Sequence, residues 1–253
     1  MRHDRLHKSI AAYLKLNQSS TPARLDLVQS ATGLILALFI MGHILFEATI
    51  LISKDAMYAM TRFFEGYYFF GETYPGIISF LAASIFIIII AHALAALRKF
   101  PSNYRQYSIF RKHSARFRHN DTTLWLWQVI TGFMMFFLAS VHLYMMISNP
   151  AEIGPFASAD RIVSGWMWPL YLVLLISVVL HAFIGLYRLA LKWGWFEGSK
   201  PKQSRKIMKK VMIAAIVFYL GVGLAALGTY VVIGIEHSDK VGDRYHPDEG
   251  GDQ

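Results

Sequence analysis

Four histidines, His43, His92, His142 and His181, each lie inside a different long apolar stretch, and no other histidine does. An imidazole is costly in hydrocarbon unless something binds it, so an ionisable residue there is a functional candidate by default. Imidazole is also the commonest axial ligand of haem iron. Hydrogen bonding between helices would account for one such histidine. Four of them, one per apolar stretch, instead read as the ligand set of two haems inside a helical bundle. The chain has no cysteine. Disulfides, iron–sulfur clusters and covalent C-x-x-C-H haem attachment within it are therefore excluded, and any haem here is b-type.

The elements that position these residues are written in the composition. The 253 residues are 55% hydrophobic and only 16% charged, whereas a soluble domain carries about a quarter charged residues. Five stretches reach the roughly 20 apolar residues needed to cross a bilayer. They run over 27–52, 76–97, 122–147, 166–191 and 208–235. Pro75 precedes the second, Asp121 is a plausible N-cap of the third, and Gly194 follows the fourth. The runs are solid rather than alternating, which excludes a membrane β-barrel. No cleavable signal peptide is read in the polar first 26 residues. The expected fold is an all-α, five-helix transmembrane bundle, one cytochrome-type domain over 1–253. No internal repeat, low-complexity tract or soluble catalytic domain is evident, and any soluble catalysis is expected on other subunits.

Charge fixes the expected orientation. The net charge is +9, and twenty of the 25 Lys and Arg fall in the N-terminal segment, residues 98–119 and residues 188–210. Only five fall in the other loops and the tail, which carries six acids from Glu236 onward. By the positive-inside rule the N-terminus is cytoplasmic and the C-terminus outside. The basic excess then reports topology in a bacterial cytoplasmic membrane, not a nucleic-acid footprint. The loop 98–119, with His113 and His119, is also a candidate docking surface for a partner.

Orientation converts position into depth at about 1.5 Å per residue. The first and third helices run outward and carry His43 and His142 late. The second and fourth run inward, with His92 and His181 shortly before Arg98 and Arg188. Matching heights pair His43 with His142 near the outer face and His92 with His181 near the inner face. Gln29, Ser30, Trp125 and Lys192 fall at inner helix ends and are candidate contacts for the propionates of the inner haem. Gly42, Ala91, Ala93, Ala182 and Gly185 beside the ligands suit close approach of a macrocycle or of another helix.

The stretches QSATGLILALFIMGHILF (29–46), AHALAALRKFPSNYRQY (91–107), HNDTTLWLWQVITGFMMFFLASVHLY (119–144) and WMWPLYLVLL with LHAFIGLYRLALKWGWF (within 166–196) carry a family resemblance. Over about residues 22–235 the chain resembles the dihaem cytochrome b subunits of quinol:fumarate reductases, the single-anchor type with five helices. The resemblance implies an iron–sulfur subunit and a flavoprotein with FAD as partners, and menaquinol or menaquinone as substrate. It also implies a dimer of heterotrimers. It places the haem ligands on His43, His92, His142 and His181, propionate contacts on Gln29, Ser30, Trp125 and Lys192, and a quinol-oxidising glutamate on Glu65. A carboxylate near the outer haem is suited to accept the protons that quinol oxidation releases. Glu72 and the aromatics Phe63, Phe64, Tyr67, Tyr68, Phe69 and Phe70 are alternative walls of a quinone pocket.

The chain departs from the pattern at Val179, where some members carry an intramembrane glutamate that compensates transmembrane electron transfer with protons. Glu47, one turn beyond His43, is the one acid within the five apolar stretches and a second candidate for the quinone site. Electrogenic turnover is therefore expected, one charge crossing being worth about 2.3 kcal/mol per 100 mV. The same residues fit the complex run backward as a succinate dehydrogenase, or a b-type anchor of another respiratory oxidoreductase such as a hydrogenase or formate dehydrogenase. A haem-free transporter is the rival of a different class. It fits less well, since broken-helix signals are lacking beyond Pro169.

Overall fold

A computed structural model of the chain describes residues 20–99, 103–105, 108 and 120–247. The candidate docking loop, with His113 and His119, lies almost wholly outside the described residues. All regular structure among them is helical: α1 Thr21–Glu47, α2 Lys54–Phe64, α3 Tyr67–Phe70, α4 Gly76–Leu97, α5 Asn120–Ser148, α6 Pro155–Ile162, α7 Trp168–Trp193 and α8 Pro201–Glu236, with 3-10 turns at Ala48–Leu51 and Ser238–Lys240. Five helices are long and apolar enough to span a bilayer: α1 with its 3-10 extension, α4, α5, α7 and α8.

Local chemistry sets the ends. Proline occupies the first turn of α1, α7 and α8, where its missing N–H costs nothing. Pro169 therefore starts α7 rather than breaking it. Gly194 closes α7 in the left-handed region (φ 66°), its N–H donating to the carbonyls of Ala190 and Leu191. Asp121 falls inside the first turn of α5, one residue past the helix start. The last helix begins at Pro201, not at 208, because the Lys- and Arg-rich segment 202–210 consists of good helix formers. Its 36 residues give a length of about 54 Å, so its basic first turns stand clear of a hydrocarbon layer about 30 Å thick.

The helices α1, α4, α5 and α7 close a ring: α1 packs on α4, α4 on α5, α5 on α7 and α7 on α1. The ring makes α1 diagonal to α5 and α4 diagonal to α7. Outside it, α8 lies against α7 and α1. Buried apolar clusters sit in the seams between neighbours. One joins Ile44, Val179, Phe183, Tyr187, Met212 and Tyr219 where α1, α7 and α8 meet. Another joins Ala82, Ile85 and Leu143 between α4 and α5. Outward residues such as Ile35, Phe80, Ile87, Phe137 and Val217 are exposed, as a lipid-facing surface requires. In lipid, dispersion packing and hydrogen bonds rather than water exclusion hold helices together.

The two ends of the bundle differ. At the basic end Asp26 of α1 receives Arg98, Lys99 (2.8 Å) and Lys192 (3.4 Å), tying α1 to α7 and to the end of α4. At the opposite end the segments expected as loops hold the amphipathic helices α2 and α6. The chain after α8 folds back on them: His237 Nδ1 pairs with the Asp160 carboxylate at 3.0 Å, and the Gly242 N–H donates to its second oxygen at 3.0 Å. Phe156 stacks on His237 at 4.1 Å, and the Tyr245 hydroxyl donates to Asp55 at 2.5 Å.

The tightest helix contact at that end is at Gly234. A Cβ there meets Val163 Cγ2 at 2.6 Å and the Ala159 carbonyl oxygen at 2.7 Å, and the backbone carbonyl cannot yield. Gly234→Ala is expected to destabilise by about 1–3 kcal/mol, the usual cost of overpacking, read as a lower thermal midpoint of the detergent-solubilised protein. Gly228→Ala, where a Cβ has open space, is expected to leave the midpoint unchanged or raise it.

Candidate haem and quinol sites

The ring brings the four histidines together in pairs across its diagonals. The imidazole centroids of His43 (α1) and His142 (α5) are 6.1 Å apart, and those of His92 (α4) and His181 (α7) are 6.4 Å apart. Two metal–nitrogen bonds of about 2.0 Å, plus about 1.2 Å from each ring nitrogen to its centroid, place bis-imidazole centroids about 6.4 Å apart. Each gap thus fits one iron between two rings. Among the described residues no three metal-ligating side chains gather. Two nitrogens are too few for a bare ion, but complete iron whose other four positions a porphyrin fills.

The chain also satisfies the other ring nitrogen of three imidazoles. His181 Nδ1 lies 2.8 Å from the Gln128 carbonyl oxygen and 3.4 Å from Thr131 Oγ1. His92 Nδ1 lies 3.1 Å from Thr32 Oγ1, and His142 Nδ1 3.3 Å from the Tyr171 hydroxyl. His43 is stacked on Phe39, with ring centroids 5.5 Å apart. Nδ1–H engaged by a carbonyl leaves Nε2 with a free lone pair, the form in which histidine binds metal.

Two glycines make room for the imidazoles nearer the basic end. A Cβ at Gly33 would stand 2.9 Å from His92 Cε1, and one at Gly132 would stand 3.0 Å from His181 Cε1. The small residues expected to matter, Gly42 and Gly185, face Phe46 and Gln128 instead. At the same end Lys192 Nζ donates to Ser30 Oγ at 3.1 Å and to the Asp26 carbonyl at 3.3 Å. Gln29 Oε1 beside them is buried without a partner, as expected of a group placed for a ligand. Trp125 is half-buried in the first turns of α5.

At the opposite end Glu65 caps α2 and is buried, at 9% exposure. Its carbonyl accepts the Tyr74 N–H at 2.8 Å, and Gly66 in the left-handed region (φ 83°) turns the chain beyond it. Burial pushes the Glu65 carboxyl above the ordinary range, opposed by the guanidinium groups of Arg244 and Arg62. Glu72 is exposed and accepts from the Tyr74 hydroxyl at 3.4 Å. An open apolar groove nearby is lined by Phe70, Thr73, Tyr74, Pro75, Ile77 and Phe80 among others. Of the expected aromatic wall it includes Phe70, while Phe63 and Phe69 pack at a tilt with ring centroids 5.8 Å apart. Glu47 accepts the hydroxyl of the buried Tyr230 at 3.1 Å, joining α1 to α8. Val179 is fully buried in the seam toward Ile44, Phe183 and Tyr219.

Thr32, Gly33, Thr131, Gly132 and Tyr171 are absent from the residues singled out in the sequence. Their type is unremarkable in a membrane helix, and only the facing imidazoles give them meaning. The one available signal was spacing, since each Thr-Gly pair stands ten residues, counted from its glycine, before a candidate ligand.

The fold and the paired histidines define a multi-pass, all-α membrane protein of the cytochrome b class. Residues 103–223 match the family described as the succinate dehydrogenase/fumarate reductase transmembrane subunit. The chain is 52% identical over 222 residues to the fumarate reductase cytochrome b subunit of Wolinella succinogenes, covering 88% of this chain and 87% of that one. It is 48% and 49% identical over 225 residues to the subunits of the same name from Helicobacter pylori strains J99 and 26695, covering 89% of this chain and 87% of each. The chain belongs to the cytochrome b membrane subunits of fumarate reductases. It is thereby an integral protein of the bacterial inner membrane, a haem-carrying subunit of an oxidoreductase complex with partner catalytic subunits.

The glycine geometry gives a direct check. Gly33→Ala or Gly132→Ala is expected to displace an imidazole and lower the haem bound per chain. Gly42→Ala, whose Cβ would meet Phe46 at an ordinary 3.6 Å, is expected to retain it; haem-to-protein ratios from absorbance measure both.

Proposed function

We propose that this chain is a dihaem anchor that oxidises menaquinol at the end bearing Glu65 and delivers electrons to an iron–sulfur subunit docked at the basic end. The flavoprotein of the same complex, with its FAD, then reduces fumarate in the cytoplasm. The observation that carries this reading is the pair of imidazole–imidazole gaps, each wide enough for one iron, at two levels of one ring. The levels are set by helical rise: Thr32 and Gly33, beside His92, precede His43 on α1 by about ten residues, or roughly 15 Å.

His43 and His142 would hold one haem, and His92 and His181 the other. Each haem, when bound, supplies a one-electron carrier whose potential the axial ligands and their hydrogen bonds tune. Ser30 and Lys192, already in contact, and Gln29, with its unpartnered oxygen, bind the propionates of the haem at the basic end, with Trp125 beside them. The positive charge of Lys192 offsets a propionate carboxylate there. Glu65 takes a proton from the quinol hydroxyl on one carboxylate oxygen and releases it toward the outer water. Glu47 fits a structural role through Tyr230 at least as well as a proton-carrying one.

Pyridine haemochrome assay of the purified complex is expected to give two b haems for this chain. His43→Leu or His142→Leu should remove one haem, and His92→Leu or His181→Leu the other. A single haem in the wild type would overturn the reading. Glu65→Gln is expected to lower quinol oxidation by about 10² or more, the usual worth of a positioned base, with haem content intact. Because Glu65 must be unprotonated to accept, and burial raises its pKa, the acid limb of quinol oxidation should lie above the ordinary carboxylate range.

The absence of a carboxylate at Val179 motivates one further expectation. Protons released at the Glu65 end stay outside while electrons cross, so turnover should generate a membrane potential. Vesicles reconstituted with the complex should show an uncoupler-sensitive voltage-dye response on adding quinol and fumarate. Turnover without such a response would show that the charge is compensated by another route.

A further inference from the structure

The residues around His92 and His181 come from two stretches of the chain that share a signature. Helix α1 reads Gln29-Ser-Ala-Thr32-Gly33 and reaches His43 ten residues after the glycine. Helix α5 reads Gln128-Val-Ile-Thr131-Gly132 and reaches His142 at the same interval. Both helices are diagonal members of the ring and run in the same direction. The pattern Gln-x2-Thr-Gly-x9-His thus occurs twice, a short repeat that corrects the expectation of none and shows only once the facing imidazoles are known, and in each copy the same atoms do the same work. Gly33 faces His92 Cε1 at 2.9 Å and Gly132 faces His181 Cε1 at 3.0 Å. Thr32 Oγ1 lies 3.1 Å from His92 Nδ1, and Thr131 Oγ1 lies 3.4 Å from His181 Nδ1.

The threonine hydroxyls have a defined polarity. A hydroxyl has one hydrogen, and Thr32 spends it on the Val28 carbonyl at 2.7 Å, Thr131 on the Trp127 carbonyl at 2.7 Å. Each oxygen therefore offers only lone pairs to the imidazole, so Nδ1 must be the protonated nitrogen and Nε2 the bare one. The Gln128 carbonyl at 2.8 Å from His181 Nδ1 makes the same demand. The glycine removes the side chain that would hold the imidazole off, and the threonine one residue earlier turns it.

We infer that the two Gln-x2-Thr-Gly-x9-His stretches are a duplicated seating device in which Thr32 and Thr131 are positioning residues for His92 and His181. Each copy serves both haems: its Thr-Gly pair orients a ligand of one, and its own histidine ligates the other. The two copies, and the two histidine pairs they seat, are then related by one approximate two-fold axis along the bundle. The copies stop being equivalent at the second level, where Tyr171 contacts His142 and Phe39 stacks on His43. The inference rests on the dihaem reading and adds a role that reading does not need.

Removing an acceptor from Nδ1–H lowers imidazole basicity and disfavours ferric iron. The test is an anaerobic redox titration of the purified complex, followed optically and by low-temperature EPR, for Thr32→Val, Thr131→Val and the matching serine variants. Each valine variant should raise the midpoint of one haem, the one lost in His92→Leu, and leave the other unmoved. The shift should be smaller for Thr131→Val, because His181 Nδ1 keeps the Gln128 carbonyl at 2.8 Å. The ferrous-to-ferric ratio at the wild-type midpoint should rise roughly two- to tenfold, tenfold being about 59 mV for one electron. Serine, which keeps the hydroxyl, should restore the wild-type value. If a valine variant fails to assemble, Thr→Ala removes the same oxygen without adding bulk at the imidazole. Movement of the haem lost in His43→Leu, equal movement of both, or no movement with either threonine would overturn the inference while leaving two haems in place. A complex without haem would overturn the dihaem reading itself.

Discussion

Everything in this bundle depends on the cost of an imidazole in a place without water. Each ring has two nitrogens, and in hydrocarbon both need partners. For three of the four rings the chain supplies one partner from within: a helix carbonyl, a threonine oxygen or a tyrosine hydroxyl. Across the ring each imidazole faces a second histidine, with centroids 6.1 and 6.4 Å apart, a spacing that one iron between two imidazoles fits. The helix order follows from this requirement. Histidines on neighbouring helices would face a seam filled with Ile, Leu and Phe, whereas histidines on diagonal helices face each other.

The same economy explains the small residues. Helices in lipid gain nothing from expelling water, so close approach must come from small side chains and from shape. Gly223 and Gly234 let α8 lie against Leu175 of α7 and Val163 beyond α6. Gly33 and Gly132 admit imidazoles instead of helices.

The two ends solve different problems. At the basic end one carboxylate, Asp26, gathers three cations and holds the termini of α1, α4 and α7 at a fixed spacing around Ser30 and Gln29. These pairs are partly exposed and individually weak, so their value lies in register more than in stability. At the opposite end the central ion pair, Asp160 with His237, is buried. The Asp160–His237 pair and the stacked Phe156 bind the chain after α8 to α6, and Tyr245 binds it to α2. Glu65 is buried at this end, and that burial pushes its carboxyl up.

Composition and spacing by themselves determined the all-helical membrane class, the five spans, and the presence of one imidazole in each of four of them. Hydrophobicity and helical rise are local properties, and they survive without knowledge of neighbours. The short helices α2 and α6 were not legible because their apolar faces are narrow and are satisfied by α8 and the 3-10 turn after α1. The helical start of α8 was hidden for the converse reason, its lysines resembling a loop by charge while favouring helix by backbone propensity. Only the tertiary structure decided which helices are diagonal, and hence that Thr32 and Gly33 serve a histidine 60 residues away rather than the one on their own helix. Sequence distance says nothing of azimuth around a ring. That azimuth is fixed by side-chain packing in the seams, and those contacts exist only once all the helices are assembled.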